Sequence, residues 1–315
     1  MKTTFISTIL NEENTIDDFL NSILNQSILP DEVIIVDGGS SDKTLTRIRK
    51  YENIFKKNCK LKILSKKGNR SVGRNEAIKE SVSDIILCSD AGCILDKAWI
   101  ENLVAPFKDN RNDVIAGYYQ GKWENIFQKS LIPYVLVMPD KVDIENFLPA
   151  SRSMAFRKSV WEKVGGFDEN LTHNEDYDFA KKLKKNKLKI VFQKNALVSW
   201  MPRKNILEAF RMFYRFAFGD IEAGIIRPKV IFIFIRYLLG IGLFLYSVLV
   251  SSLYVLYLLF LILFIYLLWS IYKNFKYVKN TKAFIYLPLI QLTSDIAVLS
   301  GSFIGALSYV FNKHK

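Results

Sequence analysis

The stretch EVIIVDGGSSD, Glu32–Asp42, decides the fold. Glu32–Val36 is an apolar, β-rich run and is predicted to be a strand. The run stops at Asp37-Gly-Gly-Ser-Ser-Asp42, where two glycines and small polar side chains turn the chain, and a helix follows from Lys43. The same alternation extends on both sides. Upstream, a strand over Thr4–Ile9 leads to a helix with Ile16, Phe19, Leu20, Ile23 and Leu24 on one face. That helix is predicted to open with a capping box, Thr15-x-x-Asp18, and to end before Pro30. Downstream, strands are predicted over Leu61–Leu64, Asp84–Cys88 and Val114–Tyr118. Strands alternating with amphipathic helices imply an α/β domain with a mainly parallel sheet flanked by helices. In such sheets ligands bind beyond the carboxyl ends of the strands. Three acidic turns fall there: Asn11-Glu12-Glu13, Asp37–Asp42, and Ser89-Asp90-Ala91-Gly92-Cys93. Each alone also reads as an ordinary turn or helix cap.

Composition splits the chain. Residues 1–220 are charged and alternate as above, whereas about forty residues from Val230 to Ile271 are apolar except for Arg236. At ~1.5 Å per helical residue that run measures about 60 Å, roughly twice a ~30 Å hydrocarbon core, so it predicts two spans, 230–250 and 252–272. A third segment, 284–310, contains Pro288, Gln291 and Asp295. It either spans, with Gly301 and Gly305 as a small-residue contact, or lies re-entrant. Asp295 is either a functional acid at membrane depth or a packed partner of Arg236. Arg227 and Lys229 precede the first span and Lys273, Lys276, Lys279 and Lys282 follow the second. The positive-inside rule then puts residues 1–220 on the cytoplasmic side of a multi-pass cell-membrane protein. MKTTFISTIL runs too soon into Asn11-Glu-Glu-Asn14 to read as a signal peptide, in keeping with that orientation.

The formal net charge is +13, with basic clusters at Lys181–Lys189, Arg203–Arg215 and Lys273–Lys282. Such a balance calls for anionic partners, and beside a membrane tail these are lipid headgroups and phosphate ligands rather than nucleic acid. Lys181–Lys189 reads equally as a solvated helix face. Cys59, Cys88 and Cys93, with only His173 and His314 to assist, indicate neither a disulfide framework nor a zinc site.

Five segments in register resemble family 2 glycosyltransferases of the GT-A fold over roughly residues 3–220. They are Ser7-Thr-Ile-Leu-Asn-Glu-Glu13, Val36-Asp-Gly-Gly-Ser-Ser-Asp42, Gly73-Arg-Asn-Glu-Ala-Ile78, Asp90-Ala-Gly-Cys93 and Asn174-Glu-Asp176. The resemblance implies a Rossmann-like mixed sheet, with residues 1–120 binding a nucleotide-sugar, 121–220 forming the acceptor side and 221–315 the membrane region. It implies that Glu12 and Asp37 hold base and ribose, and that Arg70, Arg74 and Asn75 lie over the nucleotide. A guanidinium fork suits a diphosphate. Asp90 matches the first acid of the DxD motif, which presents Mg or Mn to the diphosphate, but Gly92 stands where the second acid is usual. Hard cations want several oxygens, so one carboxylate makes a thin site.

By the same resemblance Asp176 is the general base, oriented by Glu175. The spacing of Asp176, Phe179, Ala180 and Leu183 turns the acid inward, and its place in a first helical turn predicts that it stays ionised. Pro149–Phe156, with Arg152, and Val164–Asp168 resemble the acceptor side. Trp200 and Arg203 match a segment that closes over donor and acceptor, Trp200 against a sugar and Arg203 against the leaving diphosphate. Phe210, Phe213, Tyr214 and Phe218, with Arg211 and Arg215 between them, also fit an interfacial helix. The implied activity is inverting transfer of a sugar from a nucleotide-diphosphate donor to a hydroxyl of a lipid-linked or cell-surface glycan. Polyprenyl phosphate is the alternative acceptor. A membrane-tethered nucleotide-sugar sensor is the competing class, and a channel is disfavoured because three spans with one intramembrane acid offer little for a pathway.

Overall fold

The computed structural model describes residues Met1–Asn312; His314 lies outside the described residues. The chain divides into two compact units, one of Met1–Lys122 with Val137–Met201, the other of Trp123–Leu136 with the chain from Pro202 onward.

The first unit alternates as the sequence predicts: β1 (Thr3–Ile9), α1 (Ile16–Leu24), β2 (Glu32–Asp37), α2 (Thr44–Lys56), β3 (Lys60–Ser65), α3 (Arg70–Glu80) and β4 (Ile85–Cys88). Then come β5 (Cys93–Leu95), α4 (Trp99–Val104) and β6 (Val114–Gly121). Helix α5 (Ile126–Val135) belongs to the second unit, after which β7 (Met154–Arg157), α6 (Lys158–Val164), α7 (Glu175–Lys185) and β8 (Ile190–Trp200) complete the first. One sheet results, ordered β3-β2-β1-β4-β7-β6-β8-β5. Its first four strands are parallel, and β7 runs antiparallel to both β4 and β6.

Every residue of β2 is buried, which is why its run reads as continuously apolar. Val33 and Ile35 face a core filled from α1, α2 and α4 by Phe19, Ile48 and Trp99. Ile34 and Val36 face the opposite core, filled from α3, α6 and α7 by Ile78, Val160 and Phe179. Parallel pairing sets Ile9 beside Asp37 and Asp37 beside Ser65, so the polar turns begin level with one another at one edge.

The capping box predicted for α1 does not form. Thr15 makes no side-chain cap, having φ −123 and ψ −19 rather than an extended backbone. Its hydroxyl donates instead to Glu12 Oε2 at 2.5 Å.

The second unit holds α5, α8 (Ile206–Glu222), α9 (Pro228–Leu249), α10 (Leu253–Val278) and α11 (Ala283–Asn312). Helices α9, α10 and the Ala283–Ser308 part of α11 are each long and apolar enough to cross a membrane. Helix α11 is continuous through Pro288, with no break of the kind a re-entrant segment would show. Its Gly301 lies so close to α8 that a Cβ there would stand 2.4 Å from Tyr214 O, and a Cβ on Gly305 would stand 3.1 Å from Ile221 Cβ. The small residues therefore pack on α8, whose Arg211 and Arg215 stay exposed while Met212 and Phe213 are buried. Asp295 is buried and finds four partners: Arg236 Nη2 at 2.8 Å, Tyr266 OH at 2.6 Å, Tyr237 OH at 3.1 Å and Gln291 Nε2 at 3.2 Å. Of the two readings of Asp295, the packed contact with Arg236 is the one present.

In β6, a Cβ on Gly117 would meet Ser153 Oγ at 2.0 Å and Ala196 O at 2.7 Å, positions that the β7 and β8 pairings hold in place. Gly117→Ala should therefore destabilise the full chain by about 1–3 kcal/mol, the usual range for overpacking, seen as a lowered Tm in detergent. Gly92→Ala, where a Cβ meets nothing within 4 Å, should leave Tm unchanged.

Candidate functional site

The carboxyl ends of β1 and β2 carry two loops that grip each other. Asn11 N–H donates to Ser40 Oγ at 2.9 Å, and Ser41 N–H donates to Asn11 Oδ1 at 2.9 Å. Glu12 N–H donates to Thr44 Oγ1 at 2.8 Å, Glu13 N–H to Asp42 Oδ2 at 3.1 Å, and Lys43 N–H to Glu13 Oε2 at 3.1 Å. The buried Asp37 carboxylate accepts from the backbone N–H groups of Gly39 and Ser40, each at 3.1 Å, and so shapes its own turn. Glu12 and Asp37 thus share one corner of the edge.

The next corner is built on Arg74, a guanidinium only 1% exposed. Its Nη1 donates to Glu175 Oε1 at 2.7 Å, and its Nη2 to Asp90 Oδ1 and to Ser151 Oγ, each at 2.9 Å. Its charge also lies 5.4 Å from the centre of the Phe167 ring. Four segments distant in sequence (α3, the turn after β4, the strap before β7 and the start of α7) thereby meet at one cation. Burial works against that charge, but Glu175 and then Asp90 outweigh it and hold the guanidinium firmly protonated. Arg70, one turn earlier on α3 and exposed, reaches Glu175 Oε1 at 3.8 Å.

Asn75, expected over the nucleotide, uses both ends of its amide inside the protein. Its Nδ2 donates to Phe167 O and Glu169 Oε1, each at 2.8 Å. Its Oδ1 accepts from Trp161 Nε1 at 2.9 Å and Phe167 N–H at 3.0 Å. It fastens α3 to the Gly165–Asp168 turn and so aims Arg74.

Helix α7 starts after Asn174, which has the left-handed φ of 58. Of the predicted face Asp176, Phe179, Ala180 and Leu183, the last three are buried as expected, but Glu175 joins them in place of Asp176. Glu175 is 3% exposed and Asp176 is half-buried, its Oδ1 accepting from Tyr177 N–H at 2.8 Å. The two acids diverge electrostatically. Burial would raise Glu175, but Arg74 and Arg70 overcome it and hold the carboxyl below its ordinary range. Asp176 moves up, first through burial and then through the charge of Glu175, against the pull of Arg74 and Arg152. The expectation of a readily ionised Asp176 is corrected accordingly: a neighbouring anion and desolvation outweigh the helix dipole.

Arg152, whose charge acts on Asp90, lies over the Trp200 ring at 4.9 Å and the Tyr119 ring at 5.7 Å. Trp200 ends β8 in this same unit, whereas Arg203 belongs to the second unit. Sequence reasoning missed Ser151, Phe167 and Tyr119. For Ser151, the alternation Ser151-Arg152-Ser153 beside β7 was the available signal. Cys88 is buried at the site, and burial pushes its thiol up to about 12, so it supplies no thiolate.

A divalent cation would find one carboxylate here. Asp90 is about a third exposed, and burial, which would raise its pKa, is outweighed by Arg74, Arg152 and Arg70, so it is anionic. Among the described residues no group of three His, Cys, Asp or Glu side chains gathers. Asp90 is therefore the residue that would hold such an ion, which would need its other oxygens from outside the protein.

The family model described as glycosyl transferase family 2 matches residues 4–165, and glycosyl transferase family group 2 matches 145–279. The O-antigen chain rhamnosyltransferase RfbN of Salmonella typhimurium is 27% identical over 68% of this chain and 71% of its own. The poly-beta-1,6-N-acetyl-D-glucosamine synthase of Staphylococcus epidermidis is 28% identical over 69% of this chain and 54% of its own. The chain thus spans only about half the length of the latter. Among solved structures, S. aureus TarS 1-349 in complex with UDP-GlcNAc aligns with a TM-score of 0.53 at 20% identity, covering 70% of this chain and 67% of that one. The mannosyltransferase PcManGT from Pyrobaculum calidifontis, in complex with GDP-Man and Mn2+, aligns with a TM-score of 0.67 at 16% identity, covering 93% and 86%. These likenesses are of fold. The mixed sheet is of the GT-A kind that the five motifs imply, and the matched half of the sequence carries both acidic loops, Arg74, Asp90 and Arg152: the chain belongs to glycosyl transferase family 2.

Proposed function

We propose that the protein moves a sugar, with inversion, from a nucleotide-diphosphate sugar to a hydroxyl of a lipid-linked or cell-surface glycan at the cytoplasmic face of a membrane. The observation that carries this reading is the Arg74 bridge, which sets an anionic Glu175 and Asp90 beside an Asp176 whose pKa is raised. The two lashed loops at Glu12 and Asp37 offer acceptors for base and ribose. In that arrangement the diphosphate lies toward Asp90, Arg70 and Arg74. The acceptor hydroxyl attacks the anomeric carbon from the opposite side, and Asp176 takes its proton as the bond to the diphosphate oxygen breaks. The exposed Arg70 meets the charge that develops on the leaving group, and the buried Arg74 adds its field from within the protein. A divalent ion held at Asp90 would add Lewis-acid stabilisation of that same charge. TarS was solved with UDP-GlcNAc and PcManGT with GDP-Man, so UDP- and GDP-sugars are the first donors to try. Three membrane-length helices and the Lys and Arg residues flanking α9 and α10 favour a lipid-linked acceptor and a cytoplasmic site.

The test is a screen of nucleotide sugars against the full chain in membranes, scored for nucleoside-diphosphate release; silence across UDP- and GDP-sugars with manganese and a broad acceptor panel would point to a binding protein instead. With a donor in hand, Asp176→Asn should lower kcat by about 10²–10⁴, the usual worth of a general base. Near-normal turnover of that variant on polyprenyl phosphate would assign the alternative acceptor, an anion that needs no base. In the wild type kcat/KM should fall as pH drops through the Asp176 pKa, because the protonated acid cannot accept, and this limb should lie above the ordinary carboxylate range.

Gly92→Asp should reduce the manganese concentration giving half-maximal activity. The position is open, nothing standing within 4 Å of a built Cβ, and a second carboxylate there would add a ligand. An unchanged manganese dependence would place the ion elsewhere.

A further inference from the structure

Arg152 is held in an unusual way. The serines on either side of it are buried and fixed: Ser151 Oγ accepts from Arg74 at 2.9 Å, and Ser153 Oγ accepts from Trp99 Nε1 at 2.8 Å and donates to Ala196 O at 2.9 Å. The Arg152 carbonyl accepts from Ser89 Oγ at 2.8 Å, tying the strap to the residue before Asp90. The side chain between these anchors lies over Trp200 and Tyr119. Those rings cover a guanidinium through its charge but supply no acceptor for its five N–H donors. Among the described residues the Arg152 side chain has no hydrogen bond and no ion pair; Asp90 and Asp176 act on it only through their fields. Arg74, by contrast, has all its neighbours inside the protein. A partly buried, rigidly mounted guanidinium without acceptors is a receptor waiting for an oxyanion.

Its place on the edge indicates which one. In sheet order, Asp37 and Glu12 follow β2 and β1, Asp90 follows β4, and next come the strap before β7, which carries Arg152, and the strands β6 and β8, which carry Tyr119 and Trp200. On the proposed reading the donor side already has the exposed Arg70 for its diphosphate, with the field of the buried Arg74 behind it. We infer that Arg152 receives an anionic group carried by the acceptor, so that the acceptor class is one bearing a phosphate or carboxylate near the attacking oxygen. This rests on the proposed transfer reaction, with Asp90 marking the donor side.

The experiment uses the full chain in detergent, first saturated with UDP or GDP, with ligand binding followed by thermal shift. Glycerol 3-phosphate and glucuronate are the two oxyanion probes, and glycerol with sodium chloride of equal ionic strength is the control. One probe or both should raise Tm in the wild type, and which of them does identifies phosphate or carboxylate. Arg152→Gln should weaken that binding at least tenfold while nucleotide affinity stays within twofold. Arg152→Lys should restore part of it, and serves as the test should Arg152→Gln fail to fold. The inference is overturned if neither probe binds the wild type, if probe binding survives Arg152→Gln, or if the nucleotide affinity is what collapses, since Arg152 would then serve the diphosphate. A wild type that binds neither UDP nor GDP would instead remove the transfer reading beneath it.

Discussion

Everything at the candidate site depends on keeping the Arg74 cation buried. A guanidinium 1% exposed is tolerable only because Glu175, Asp90 and Ser151 supply acceptors and Phe167 offers its ring. The dependence is mutual, since Glu175 is itself nearly sealed and stays anionic through Arg74 and Arg70. Truncating either partner strands a charge away from water, which is far costlier than never having buried the pair. The ion bridge therefore ties the turn after β4 to the acid pair of α7, and with burial it separates the two carboxyls. Glu175 absorbs the positive field, and Asp176 is left with the negative one.

The packing around this centre serves to aim it. Asn75 clamps α3 to the Gly165–Asp168 turn, and Gly117 lets β6 approach Ser153 where a methyl group would collide. Ser153 in turn sits one residue from Arg152 and two from Ser151. A change in β6 thus reaches the guanidiniums through two short covalent links and a few hydrogen bonds. In the second unit a comparable burden falls on Asp295, where four side-chain donors satisfy one acid among apolar helices.

Much of this was legible in the sequence, for reasons that differ by element. The doubly covered strand at Val33–Val36 and the turn at Asp37–Asp42 are local signals, and so is the apolar tail; all three appear where the pattern puts them. The pairing of Arg236 with Asp295 was readable because few polar groups exist at that depth to choose from. What escaped is what depends on contacts between distant segments. Helical spacing alone could not say whether Glu175 or Asp176 faces inward, because the left-handed Asn174 and the pull of Arg74 set the rotation of α7. Local pattern likewise could not foresee that Asn75 would bind a turn some ninety residues later, or that α5 would group with the C-terminal helices. The raised pKa of Asp176 comes from burial together with the fields of Glu175, Arg74, Arg152 and Asp90, and no motif encodes it.

The interlaced loops at the ends of β1 and β2 have a thermodynamic corollary. Backbone and side chain already bind each other across the gap from Asn11 to Thr44, so on the proposed reading this corner is shaped before a ligand arrives. A visiting nucleoside would freeze little of the chain on arrival, and its affinity would be set by the bonds it forms rather than diminished by the disorder it removes.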